Sequence, residues 1–179
     1  MVDRNIVDRS LDSTAPPAAR LGLPSAALVA VVNLAAAAFM TGLIWYVQVV
    51  HYPLMAGWPH ERFADWEALH RERTGAVVIP AMLLEAAATV LFVLRPPRGV
   101  PAWLPGTAAA ALAGIWASTF FLQIPCHTLL SLGWDETVHA RLVATNWIRT
   151  CLWTARLLLA AVAVHAILAD APAGRLQGS

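Results

Sequence analysis

The chain has 179 residues, 59% of them hydrophobic and only 13% charged, with a mean hydropathy of +0.61. A soluble domain carries about 25% charged residues, and the deficit here is concentrated in long uncharged runs, which argues against a soluble fold. A net charge of +1 without a basic stretch excludes a nucleic-acid surface. Cys126 and Cys151 lack C-x-x-C spacing, so they provide neither a disulfide framework nor a zinc site.

The first 25 residues are polar, contain "APP", and are expected to be a disordered tail. A run without charge follows, Ala26–Val50, whose only strongly polar members are Asn33, Thr41 and Gln48. A hydrocarbon core of ~30 Å needs ~20 apolar residues in a helix, so 26–50 is expected to span a membrane. It is longer than the ~7–15-residue core of a signal peptide and is expected to be retained. A soluble bundle would need a polar face here, and this run has none.

Residues 51–71 are expected to be partly helical, and a second span is expected at 72–94, interrupted only by Glu85. Pro80, which lacks a backbone donor, is expected to kink it. The connection "RPPRGVPAW" leads to a third span at 104–126, and a fourth at 140–168 contains Arg149 and Arg156. Residues 169–179 are expected to form a second disordered tail. The fold class is therefore all-α: one integral membrane four-helix domain at 26–168. Small residues at 35–38 and 107–114 allow close helix packing. Trp45, Trp58, Trp103 and Trp134 fall near span ends, as in an aromatic belt. Met40, Met55 and Met82 read as packing, and His60 and His165 as structural.

With four spans, both termini share a side with the second connection. That side carries six arginines (Arg4, Arg9, Arg20, Arg95, Arg98, Arg175) and the opposite side four (Arg62, Arg71, Arg73, Arg141). Positive residues favour the cytoplasm, so the termini are expected there. The basic residues are all arginine, which with the abundant alanine suggests a GC-rich bacterial genome and hence the bacterial inner membrane.

Two stretches about seventy-five residues apart match. "WYVQVVHYPLM" carries Gln48 and His51; "FFLQIPCHTLL" carries Gln123 and His127. Each is followed by Glu-x-x-His, Glu67/His70 and Glu136/His139, opening the next span. The chain thus reads as two similar helical hairpins. Positions i and i+3 share a helix face, and di-iron bundles use two Glu-x-x-His helices in this way. His51, Glu67, His70, His127, Glu136 and His139 are accordingly expected to converge at the outer end as ligands for iron, copper or haem. Gln48 and Gln123, one turn below, are expected to support such a cofactor from its outer shell.

Glu85 lies five helical turns beyond Glu67, at the depth of Thr154, between Arg149 and Arg156. An interhelical ion pair from Glu85 to one or both arginines is expected, since an unpaired charge at that depth is strongly unfavourable. Asn146, Thr150 and Trp153 continue a polar stripe into the bundle.

At "IPCHTLLSLGWDETVHARLVATNWIRTCLW" the chain resembles a group of four-helix bacterial membrane proteins related to the anthrone oxygenases of aromatic polyketide pathways. Ile124-Pro125 and Asn146-x-x-Arg149-Thr150 match that group's third- and fourth-helix motifs. His127 stands where the group usually has Asn, and Gly42 and Pro53 match features of its first hairpin. The resemblance implies oxygenation of an aromatic or quinone-like substrate. Asn146 and Arg149 are expected to be catalytic, orienting that substrate by hydrogen bonds. The leading expectation is a small metal- or haem-dependent membrane oxidoreductase. The alternative is a non-enzymatic scaffold subunit, or a proton or anion carrier using Glu85, Arg149 and Arg156.

Overall fold

The computed structural model describes residues 25–170. The tails expected at 1–25 and 169–179 lie, apart from Ser25, Ala169 and Asp170, outside them. Four helices carry the described chain: span 1 (Ala26–Met55), span 2 (His60–Leu94), span 3 (Trp103–Leu130) and span 4 (Glu136–Asp170). There is no strand among the described residues. All four are long and apolar enough to cross a bilayer, so the protein is a multi-pass membrane protein.

The boundaries follow local chemistry. Ser25 caps span 1 by accepting from the Leu28 amide at 3.2 Å. Asp135 caps span 4 by accepting from Val138 N–H at 2.9 Å. Gly99, with φ of +80°, turns the chain between spans 2 and 3. A Cβ at Gly99 would also lie 2.6 Å from Asp170 Cβ. Gly99→Ala is therefore expected to cost about 1–2 kcal/mol from backbone strain, plus the clash, and to lower the thermal midpoint measured in detergent.

The helices overshoot the apolar runs at the histidine-bearing end, here called the outer end and its opposite the inner end, whichever membrane side each faces. Span 2 starts at His60 rather than 72, span 3 ends at Leu130 rather than 126, and span 4 starts at Glu136 rather than 140. Burial of Phe63 and Glu67 explains the early start of span 2, because these added turns pack inward. A 35-residue helix is about 52 Å long, against a hydrocarbon core of ~30 Å, so the added turns stand clear of the bilayer interior. The connection expected to be partly helical at 51–71 is helical up to Met55 and again from His60.

Spans 1 and 3 each contain one π-helical stretch near the outer end, Val47–His51 and Thr119–Gln123. Tyr52 N–H bonds to Val47 C=O, and Ile124 N–H to Thr119 C=O, five residues back. In both, proline follows one residue later (Pro53, Pro125); it has no N–H to continue the α ladder, and the π turn absorbs the mismatch. Span 2, by contrast, runs on as α-helix through Pro80.

Spans 1 and 4, 3 and 4, and 1 and 2 pack closely, whereas spans 2 and 3 touch least among neighbouring spans. The order around the bundle is 1-2-3-4, with 1 and 3 diagonal and 2 and 4 diagonal. The outer core comprises Met40, Ile44, Met55, Phe63, Met82, Ile115, Leu130, Leu142 and Trp153. The three methionines thus sit in packing. A smaller inner core joins Val29, Phe92, Leu104 and Ala163.

Candidate functional site

Two polar networks cross the bundle between diagonal helices. In the inner one, Arg156 Nε donates to Glu85 Oε1 at 2.8 Å, with both residues buried. Trp153 Nε1 donates to Glu85 Oε2 at 3.0 Å. Arg156 also donates to Asn33 Oδ1 at 3.0 Å, Thr89 Oγ1 at 2.9 Å and the Ala108 carbonyl at 2.6 Å. All four spans contribute, so this network ties the bundle together. Arg149, the other arginine expected to face Glu85, is not part of it.

Arg149 belongs to the outer network, two turns nearer the outer end. Its Nε donates to Asn146 Oδ1 at 2.9 Å, and its Nη2 donates to the same oxygen and, at 3.2 Å, to the Tyr52 hydroxyl. Asn146 Nδ2 donates to Gln48 Oε1 at 2.8 Å, and Gln48 Nε2 donates to the Val143 carbonyl at 3.2 Å. The polar stripe expected to run continuously down span 4 is therefore divided, with each arginine committed to its own network.

Tyr52 leads from Arg149 to the histidines. His127 Nδ1 lies 2.7 Å from Glu67 Oε1, and its Nε2 lies 3.1 Å from the Tyr52 hydroxyl. An ionised Glu67 can only accept, so it assigns the proton to His127 Nδ1 and leaves Nε2 as an acceptor for Tyr52 O–H. A carboxylate thus orients an imidazole whose other nitrogen accepts from a phenol, and a guanidinium donates to that phenol. Glu67 is fully buried, and its second oxygen, Oε2, has no hydrogen-bond partner. His51 Nε2 and His70 Nδ1 are 2.8 Å apart, and Thr74 Oγ1 is 3.1 Å from the same His70 nitrogen. Ring centroids of His51 and His70 are 4.5 Å apart, and those of His70 and His127 are 5.3 Å apart.

Three of the four expected histidines therefore gather, together with Glu67. The other members of the expected set do not join them. His139 donates from Nε2 to the Tyr52 carbonyl at 2.8 Å, satisfying an oxygen in the last turn of span 1, and packs against Trp134. Glu136 is exposed in the first turn of span 4. The physical reason is rotation: the two Glu-x-x-His pairs present different faces, one into the bundle and one across its rim. His51 and His70 are stacked, His127 is tilted against His70, and all three rings are hydrogen-bonded to protein partners. No group of three or more His, Cys, Asp or Glu among the described residues is placed to hold a metal ion.

The glutamines correct a second expectation. Gln48 fixes Asn146 as above, while Gln123 accepts from Ser118 Oγ at 3.0 Å and donates to Thr145 Oγ1 at 3.2 Å. Both amides bind across to span 4 rather than to an imidazole. Asn146, expected to meet substrate, is fully buried and holds Arg149 in place. His60 lies exposed against Trp134, stacked at 4.9 Å, and His165 is exposed on span 4.

The outer network forms the polar end of a cavity of about 470 Å³. Below Tyr52, His70, His127 and Arg149 its walls are mainly apolar, including Met40, Met82, Trp116 and Trp153. That volume falls in the usual range for small-molecule sites, about 300–1,000 Å³. The lining residues Ile79, Phe120 and Ile124, on spans 2 and 3, are also exposed on the outer face of the bundle. The cavity thus reaches the lipid-facing surface where these two helices are least in contact.

Sequence reasoning missed Tyr52, whose hydroxyl joins the Arg149–Asn146–Gln48 chain to His127 and Glu67. Its signals were slight: one of only two tyrosines, directly before a proline and beside His51. No protein-family model, curated protein or solved structure matches this chain.

Proposed function

We propose that this multi-pass membrane protein is a small oxidoreductase of oxygenase type, acting on a hydrophobic aromatic or quinone-like molecule taken up from the bilayer. The observation that carries the reading is the apolar cavity of about 470 Å³ closed at one end by His127, Tyr52 and Arg149. Apolar walls with a few convergent polar groups are the usual form of a site for such a ligand. His127, oriented by Glu67, is the base: its Nε2 takes the Tyr52 hydroxyl proton as that oxygen takes one from an activated ring carbon or hydroxyl. Dioxygen is the co-reactant. In the overall reaction a ring CH2 exchanges its two hydrogens for one oxygen atom, and the second oxygen atom leaves with those hydrogens as water.

The test is oxidation of anthrone by purified protein in lipid nanodiscs, followed by dioxygen uptake and quinone absorbance. Turnover above empty discs that is lost in His127→Ala supports the reading. Absence of turnover, with the protein folded, leaves the scaffold alternative in its place. A metal-centred variant would require His51, His70 and His127 to exchange their present hydrogen bonds for a shared iron, copper or haem. Metal analysis and an absorption spectrum of the same preparation distinguish it.

The arginine distribution supports an inner-membrane protein with both termini in the cytoplasm, which places the histidine end on the outer side. A C-terminal reporter is expected to be active in its cytoplasmic form and silent in its periplasmic form; the reverse pattern inverts the site.

A further inference from the structure

Arg149 is 8% exposed and lines the cavity, yet it faces no carboxylate. Its hydrogen-bond partners, the Asn146 amide oxygen and the Tyr52 hydroxyl, are neutral. The three ion pairs among the described residues use Arg62, His127 and Arg156, not Arg149. Glu67, the acid of the outer network, is engaged with His127 and is separated from Arg149 by that ring and by Tyr52. The contrast with Arg156 is direct, since that residue has Glu85 at 2.8 Å. The cavity wall as a whole has the same bias: Arg71 and Arg149 line it, and no aspartate or glutamate does. Arg71 donates to Ser131 Oγ at 2.8 Å and is exposed toward the outer end.

A guanidinium held this far from water is costly unless an anion compensates it. Gln48 and Asn146 prevent it from turning away: each amide both donates and accepts within the network, so Asn146 Oδ1 holds the Arg149 fork aimed at Tyr52 and the cavity. Arginine is also the side chain best suited to oxygen anions.

We infer that the cavity's ligand carries a negatively charged oxygen on an apolar body, bound by the Arg149 guanidinium. This rests on the cavity being a ligand site, as proposed above, and adds the ligand's charge and its contact. A phenolate, an enolate or a carboxylate meets the requirement; a neutral quinone does not. Arg149 is then the residue that selects the ionised form, and Gln48 and Asn146 are positioning residues acting through it.

The experiment uses the full chain in nanodiscs of zwitterionic lipid, with binding to empty discs subtracted. The probes are a 2-hydroxy-3-alkyl-1,4-naphthoquinone, ionised at neutral pH, its neutral O-methyl ether, and laurate. The hydroxyquinone is expected to bind at least about tenfold more tightly than the ether, as a charged hydrogen bond requires. Arg149→Gln is expected to abolish that preference and Arg149→Lys to retain part of it. Laurate binding as tightly as the hydroxyquinone would identify a lipid acid, still an anion, as the natural occupant. Equal binding of hydroxyquinone and ether to the unaltered protein overturns the anion assignment while leaving the cavity a ligand site. Binding of none of the three overturns both. The comparison of probes on the unaltered protein decides the matter even where Arg149→Gln does not accumulate.

Discussion

Glu85→Ala is expected to destabilise the bundle by about 3–5 kcal/mol, the usual cost of removing one partner from a buried ion pair. Arg156 would keep Asn33, Thr89 and the Ala108 carbonyl, all neutral, and lose its only charged partner at 2.8 Å. Trp153 Nε1–H would lose its acceptor in the same step. Because Glu85 and Arg156 lie on diagonal helices, no single pair of neighbouring spans can relax to rescue them. Arg156→Met alone is expected to be similarly damaging, since it leaves the Glu85 carboxylate buried without a cation. The double variant Glu85→Leu with Arg156→Met should recover much of the loss, because paired apolar replacements avoid stranded charges. Fraction folded against denaturant in detergent measures all three, and a double variant worse than either single one would contradict the ion-pair account.

The second large effect is on chemistry. His127→Ala is expected to lower the rate of anthrone oxidation by about 100-fold or more, the usual contribution of a positioned general base. The ring is partly buried rather than central to packing, so folding should survive. Glu67→Gln should give a smaller loss with the fold intact, because the amide keeps the shape but can hold the imidazole in either orientation. Its Oε2 has no partner to lose. His139→Ala, which removes a bond to the Tyr52 carbonyl and the packing against Trp134, is expected to leave the rate within a few-fold and to act on stability instead. Equal loss in His127→Ala and His139→Ala would mean that the outer end works as a packing unit rather than through one imidazole.

The sequence by itself determined the four membrane-crossing helices, their order, and the depth match that put Glu85 opposite the span 4 arginines. These properties are set by the length of apolar runs and by a rise per residue that hardly varies. It also marked the outer end as polar, through Gln48, His51, Glu67, His70, Gln123 and His127. Tertiary structure decided which arginine meets Glu85 and which faces the cavity, because seven residues apart on one helix share a face but not a partner. It likewise separated Glu67/His70, turned into the bundle, from Glu136/His139, turned across its rim. Identical spacing cannot predict that difference, since helix rotation is set by packing against neighbours rather than by the motif. Tyr52 was recognisable only once diagonal helices brought its hydroxyl between His127 and Arg149, 75 and 97 residues away in sequence. The cavity, too, is a property of packing: it exists where spans 2 and 3 stand apart, and no local pattern in either helix encodes that gap.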